Sequence, residues 1–455
     1  MTDSTSTPTH DARLYRRVTV PREYQVTRGD TTFGGDLRIG DLTGDGRCDF
    51  LVYRCTPELG EGRAAEGLKP CFLGAFDLHG APLWTDGEGG GHPARPAAVT
   101  VHDFNGDGAA AVLCLWHRPR RDKRTAWDAL EDVVIQRRDG RTGAVVHEAA
   151  PAALTARRRK DPQAANWVHQ RLQIANFRGL ARPRDVLIKL GDTYLALDEN
   201  FNVLWTHRTP WTRYGACPAY VPAVGDLDGD GHDEVFTGYA VLDAEGEVRW
   251  QRPVAPHMDS VLIAEWDAGH RRAIGSGGGH VLDIDGRVIL QLGAERVPHG
   301  QEVRVANFVA DHPGPDMAIR CNGHRPDLRV VSSATGDVVR TLTLNASPNN
   351  TGMEPVHWRG RDEPALLFNG GWLWDLDASQ GAPLPGLPPP RGRDVHRMSF
   401  HHAIAADVCG DAREELVVWD PAATDVHIYT PPPLDDSAYM RYRAGPRQYN
   451  ARLMD

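Results

Sequence analysis

Residues 226–234 read DLDGDGHDE, and partial copies stand at 41–49 (DLTGDGRCD) and 103–111 (DFNGDGAAA). In the 226 copy, oxygen-bearing side chains fall at Asp226, Asp228, Asp230 and Glu234, with the His232 carbonyl between them. This alternate-residue spacing wraps a turn around a calcium ion, and Gly229 and Gly231 permit the tight backbone. The 41 copy offers Asp41, Thr43, Asp45 and Asp49. The 103 copy offers Asp103, Asn105 and Asp107, but Ala111 stands where the last carboxylate would be. Loops of this kind in repeat proteins act as staples between strands, so structural Ca2+ is the expectation rather than a catalytic ion.

Each copy runs on into an apolar strand: DLTGDGRCDFLVY from 41, DFNGDGAAAVLCLW from 103 and DLDGDGHDEVFTGY from 226. When the acidic positions are allowed to vary, five more units appear. They are NFRGLARPRDVLIKL from 176, EWDAGHRRAIGSG from 265, NFVADHPGPDMAIR from 307, HWRGRDEPALLF from 357 and DVCGDAREELVVW from 407. Between them lie second hairpins with Gly or Asn at the tip, among them FDLHGAPLW (76–84), LDENFNVLW (197–205), LDAEGEVRW (242–250) and LDIDGRVIL (282–290). A unit spacing of roughly 40–70 residues is that of a four-stranded propeller blade. The pattern predicts an all-β fold, a single eight-bladed β-propeller over 21–455 with calcium-binding acidic loops, behind a flexible tail over 1–20. RTAWDALEDVVIQ from 124 is the best helical candidate and reads as a blade insertion.

The bulk numbers narrow the function. A net charge of −10 argues against nonspecific binding of nucleic acid. It leaves room for an anionic sugar, because a metal or an arginine cluster reverses the field within one cleft. No stretch approaches the roughly 18 apolar residues of a membrane span. The start, MTDSTSTPTHDARLYRR, has no apolar core of a signal peptide, so a cytoplasmic protein is expected. The seven cysteines show no CxxC pairing, and Cys48, Cys114 and Cys321 sit in apolar strands, as reduced buried thiols would. The oligomeric state stays open, a monomer included.

Residues just ahead of each unit should line the mouth of the propeller's central funnel. They include His169 ahead of the 176 unit, Tyr220 ahead of 226, His257 and Asp259 ahead of 265, His299 and Glu302 ahead of 307, and His401 and His402 ahead of 407. His280 and His324 end segments that return to the same mouth. One such histidine is more often a packing residue; a series at equivalent repeat positions points to a metal or acid–base cluster. His257, Asp259 and His280 form its centre.

At these residues the sequence resembles polysaccharide lyase family 11, the rhamnogalacturonan lyases. The resemblance rests on HMDSVLIAEWD, PHGQEVRVANFVADHPGPDMAIR, VGDLDGDGHDEVFTG and ADVCGDAREELVVWDPAATDVHIYT, and it extends to the opening blades from about residue 30. It implies an eight-bladed propeller carrying calcium, with an active-site calcium held by two histidines, an aspartate and a glutamate. His257 and Asp259 match the second histidine and the aspartate. Tyr220 falls on the first histidine, and the glutamate falls near His280 or the glycines before it. Two of the four ligands differ, and imidazole suits zinc or manganese, or a proton-transfer role, better than calcium. A second divalent metal of that kind at the funnel is therefore one expectation.

The implied chemistry is β-elimination on a uronate–rhamnose linkage. The C5 proton becomes acidic once the uronate charge is neutralised by a metal or an arginine clamp, and a base then removes it as the C4–O bond breaks. His299 or His257 is the candidate base, Tyr220 the acid, and Arg213 or Arg325 the clamp, with Lys189 a further base candidate. His169, Glu302, His324, Arg325, His401 and His402 are candidate substrate contacts. Exo action on short imported oligosaccharides fits the absence of a leader. A lyase for a rhamnosyl-glucuronate substrate and a non-catalytic carbohydrate- or protein-binding propeller are the alternatives. A hydrolase built on Asp259 and Glu302 is a weaker one.

Overall fold

In the computed structural model the described residues are 11–28, 31–54, 72–87, 98–117, 133–155, 171–190, 193–209, 219, 221–255, 258–267, 269–321, 326–347, 352–391, 400–433 and 441–450. Among them the strands pair into eight antiparallel four-stranded sheets and one two-stranded hairpin. Each repeat unit makes one sheet, so the molecule is the expected eight-bladed propeller. Numbered in chain order, blades 1 to 8 have as their innermost strands Asp36–Gly40, Val99–His102, Arg171–Ala175, Ala223–Gly225, Val261–Asp267, Gly300–Ala306, Met353–Val356 and His402–Ala406. These strands touch their neighbours in sequence around the central channel.

The ring closes through its N-terminus. Strand Arg13–Thr19 pairs with Asp425–Thr430 and becomes the outermost strand of blade 8. Arg17 bonds Asp425 at 2.5 Å, and Val18 is buried against the same blade. The tail expected over 1–20 therefore does not extend through 13–19, where an alternating RLYRRVT finds an open sheet edge. The helical candidate from 124 also differs. Its end forms strand Val133–Arg138, the third strand of blade 2, while 118–132 lie outside the described residues.

The core is divided by blade. Each of eight buried apolar clusters lies between two neighbouring blades. Alternate residues of one strand consequently serve different interfaces. Val112 and Cys114 pack against blade 1, while Leu113 and Leu115 pack against blade 3. Strands buried on both faces read as near-continuous apolar runs, which is why AVLCLW and ELVVW lack polar alternation. Cys48, Cys114, Cys321 and Cys409 are buried, and none of these described cysteines is in a disulfide.

A second tie runs along the outer rim. From the outermost strand of a blade, a side chain donates to a carbonyl in the turn between the third and fourth strands of the next. Trp84 reaches Gly140 at 2.7 Å, His147 reaches Asn200 at 2.9 Å, Trp205 reaches Ala244 at 2.7 Å and Trp250 reaches Ile284 at 2.9 Å. Arg16 to Leu78, at 3.3 Å, carries the series across the ring closure. Gly246 lies under the Trp205 indole, where an added Cβ would come within 2.5 Å of the ring.

Strand direction gives the propeller two distinct ends. The acidic loops join the first and second strands of each blade at one end. The connections between second and third strands, and those between blades, lie at the other, the mouth. Residues 441–450 occupy the acidic-loop end. Tyr442 donates to the Gly46 carbonyl and Arg443 to that of Asp407, each at 2.9 Å. Arg447 bonds Asp233 at 2.5 Å, and the Asn450 side chain pairs with both backbone groups of Ile174 at 2.9 Å. This strap ties blades 1, 3, 4 and 8 across that end.

Candidate functional site

The acidic loops explain their own repeat. In each of the three acidic copies the first aspartate accepts backbone N–H groups three and five residues on. Asp41 takes Gly44 and Gly46, Asp103 takes Gly106 and Gly108, and Asp226 takes Gly229 and Gly231. Asp407, in a degenerate copy, takes Gly410 and Ala412 in the same way. The carboxylate at the loop's end folds back onto the N–H groups after the first: Asp49 onto Leu42 and Thr43, Glu234 onto Leu227, Asp316 onto Phe308 and Val309, and Glu415 onto Val408 and Cys409. The first and last carboxylates of these loops thus hold the turn by accepting backbone donors. The acid at the fifth position caps as well: Asp45 accepts from the Arg47 N–H, Asp107 from Ala109, Asp230 from His232 and Asp411 from Arg413.

Burial of these terminal carboxyls raises their pKa: Asp49 to about 6, Glu234 to about 7 and Glu415 to about 7. At Glu234 the charges of Asp228 and Asp230 add to the effect, and Arg249 opposes it. Among the described residues, Asp226, Asp228 and Glu234 form the one group of three potential metal ligands whose donor atoms lie within 4.8 Å of one another. An all-oxygen set of this kind could hold a hard cation. Arg249 flanks it, 2.7 Å from Asp228 and 3.6 Å from Glu234.

At the mouth, blades 5 and 6 meet through buried polar side chains. Asp259, just ahead of the inner strand of blade 5, accepts from Gln301 of blade 6 at 2.8 Å. Ser260 accepts from the Val303 N–H at 3.3 Å. Gly300 lets the blades close, because a Cβ there would fall 1.8 Å from the Ser276 carbonyl oxygen. His280 opens the third strand of blade 5 opposite Gly275, and a Cβ on Gly275 would meet the His280 ring and Met258. The His280 ring is fully buried, and neither nitrogen has a partner in hydrogen-bond geometry. Burial lowers its pKa to about 4, and the Gly277 carbonyl offsets this only in part, so the imidazole is neutral at physiological pH. Asp259 and His280 are the described members of the expected funnel cluster, and neither belongs to a group of three close metal donors among the described residues.

The remaining candidates separate. Lys189 is fully buried and stands in register with Arg171, which the sequence reading did not single out. Its signal was a charged residue opening an inner strand, RLQIA, that is otherwise apolar apart from Gln173. Glu302 is fully buried with both oxygens engaged, by Arg304 at 2.6 Å and Arg320 at 2.5 Å, and the Met353 N–H adds contacts of 3.3 Å. It therefore serves the junction of blades 6 and 7. His299 immediately precedes the inner strand of blade 6. His402 is buried and stacks on Trp419 with ring centroids 5.6 Å apart, and neither of its ring nitrogens has a hydrogen-bond partner. His401 faces a separate pocket between blades 7 and 8. His169, Arg213, Tyr220, His257, His324 and Arg325 lie outside the described residues.

No family model matches the sequence, and no curated relative does. Solved structures match its fold. The rhamnogalacturonan lyase YesW is 18% identical with a TM-score of 0.66, over 94% of this chain and 77% of that one. The Bacillus licheniformis rhamnogalacturonan lyase of family 11 is 17% identical with the same TM-score and coverage. The exotype rhamnogalacturonan lyase YesX is 16% identical at a TM-score of 0.66, over 92% of this chain and 76% of that one. With the blade count, the blade order and the mouth-end polar cluster in place, the chain has the propeller fold of the rhamnogalacturonan lyases, in a strongly diverged sequence.

Proposed function

We propose that the protein is a lyase that cleaves uronate–rhamnose linkages in rhamnogalacturonan-type oligosaccharides by β-elimination. The observation that carries the reading is the coincidence of two things: a fold shared with three such lyases over nearly the whole chain, and buried polar groups gathered at the mouth of the channel. A general binding propeller has no need of a buried neutral imidazole, a buried aspartate and two buried cations at one end.

Elimination needs the uronate carboxylate held and its charge offset, so that C5 can release its proton. Arg171 and Lys189 bring two fully buried positive charges to the mouth end of blade 3, and Arg213 and Arg325 are the further clamps proposed from sequence. His299 or His257 would take the C5 proton, and Tyr220 would return one to the O4 leaving group. The electron pair of the C5–H bond then becomes the C4–C5 double bond as C4–O breaks. Asp259 and His280, with His257, would hold a divalent cation, which when bound would draw electron density from the uronate carboxylate. Gln301 orients Asp259 for this, and close packing around Met258 and Gly275 orients His280. Exo action on short oligosaccharides in the cytoplasm completes the proposal.

The test is near-ultraviolet absorbance during incubation with rhamnogalacturonan and rhamnosyl-glucuronate oligosaccharides, with and without chelator. A rise that Asp259→Asn abolishes in a folded variant supports elimination at the mouth. A flat trace across the panel with folded protein refutes it.

A further inference from the structure

The mouth-end face carries a second concavity, outside the cluster around Asp259. Between blades 7 and 8 lies a pocket of about 340 Å³, within the range of small-ligand sites. Its walls are of three kinds. Leu14, Pro388, Pro389 and Ala423 give an apolar surface. His401 and His427, each 5% exposed, present imidazoles. Arg17, Arg391, Asp420 and Asp425 supply charge.

These charges are not equivalent. Arg17 is engaged by Asp425 at 2.5 Å. Asp420 is satisfied by backbone, accepting from the Ala422 and Arg391 N–H groups at 2.9 and 2.5 Å. The Arg391 guanidinium, by contrast, makes no ion pair or hydrogen bond among the described residues, although Asp420 lines the same pocket. Burial holds both histidines below their ordinary pKa, His401 at about 4, so each ring is neutral near pH 7 and can both donate and accept. His401 lies by the Pro388 carbonyl, and His427 makes no hydrogen bond to a described residue.

We propose that this pocket binds a single uronate unit, with its carboxylate on Arg391, its hydroxyls on His401 and His427, and a C–H face on Pro388 and Pro389. One guanidinium free to pair, in a lining whose charges otherwise balance to −1, suits a single carboxylate and disfavours a phosphate dianion. Neutral imidazoles match hydroxyls, and proline rings match the apolar face of a pyranose. The site is separate from the proposed elimination centre and would hold a second unit of an acidic oligosaccharide, or a released one.

Ligand-observed NMR titration of the full chain with glucuronate, glucose and inorganic phosphate tests this without calling on catalysis. Glucuronate is expected to bind at least tenfold more tightly than glucose or phosphate. Arg391→Gln, at an exposed position whose only described hydrogen bond is through the backbone, should lower that affinity at least tenfold, and His427→Ala should lower it severalfold. Asp259→Asn should leave it unchanged, which separates this pocket from the mouth even if the lyase assay fails. The proposal is overturned by absence of glucuronate binding, by equal binding in Arg391→Gln, by parity with glucose or phosphate, or by loss of binding in Asp259→Asn.

Discussion

Replacing Glu234 by Gln should stabilise the metal-free protein and destabilise the calcium-loaded one. Glu234 is buried, and its pKa stands at about 7 against an ordinary 4.5. A carboxyl whose pKa is raised by folding binds its proton more tightly in the folded state. Stability is therefore greatest below the unfolded value and is lost as pH rises from about 4.5 to 7. The full difference amounts to about 3 kcal/mol at pH 8. Water at the loop rim and the lost Arg249 contact reduce this, so about 1.5 kcal/mol is the working figure for what the amide recovers. The Leu227 N–H that Glu234 accepts at 2.7 Å can still be accepted by the amide oxygen. Calcium reverses the sign. With a Kd on the order of 0.1 mM, 5 mM calcium stabilises the native protein by about 2.3 kcal/mol, and the variant forfeits most of it. Because the recovered 1.5 kcal/mol partly offsets the lost calcium energy, thermal melts at pH 8 should show a rise of about 1.6 °C in chelator and a fall of about 1 °C in 5 mM calcium. Equal destabilisation in both buffers would refute the argument, because it would make Glu234 a plain hydrogen-bond cap with no electrostatic cost and no ligand role.

Three further outcomes are expected. Trp205→Phe keeps the ring over Gly246 but removes the 2.7 Å bond to the Ala244 carbonyl, and should cost about 1 kcal/mol in a denaturant titration. Glu302→Gln weakens the hold on two buried guanidiniums and should cost about 3–5 kcal/mol, whereas joint replacement of Glu302, Arg304 and Arg320 by apolar residues should recover much of it. His280 has a folded pKa near 4, below its ordinary 6.5, so its contribution is fully present above about pH 6.5 and is lost as pH falls toward 4. Denaturant midpoints for His280→Gln between pH 4 and 7 should accordingly show a shallower acid limb than wild type.

The blade count was legible because an acidic backbone-capping loop follows the inner strand in four blades and degenerate versions of its sequence mark the other four. Asp226 and Asp407 make equivalent bonds to the N–H groups three and five residues on, although the 407 loop has Cys409 and Ala412 where the other has Asp228 and Gly231. The Gly- or Asn-tipped hairpins located the third and fourth strands for the same local reason. Ring closure was not legible. RLYRRVT becomes a strand only because Asp425–Thr430 leaves an edge 406 residues away from Thr19, and nothing local encodes that partner. The strap over 441–450 is likewise fixed by distant groups, Asp233 and Ile174 among them.

The mouth shows where repeat logic stops short of function. Equivalent repeat positions pair Glu302 with His402, each five residues ahead of its unit, and Asp259 with Gln301, each six ahead, yet what each side chain does depends on which neighbouring blade it faces. Glu302 turns toward blade 7 and is saturated by Arg304 and Arg320, while Gln301 beside it turns toward blade 5 and orients Asp259. One residue of register thus separates a structural ion network from a group positioned for chemistry, because successive strand residues face opposite sides. A histidine count cannot see that division. It also passes over Arg171, whose register with Lys189 exists only once the strands have paired. The sequence periodicity therefore defines a ring of equivalent places, and blade-to-blade packing selects which of them remain available to a substrate.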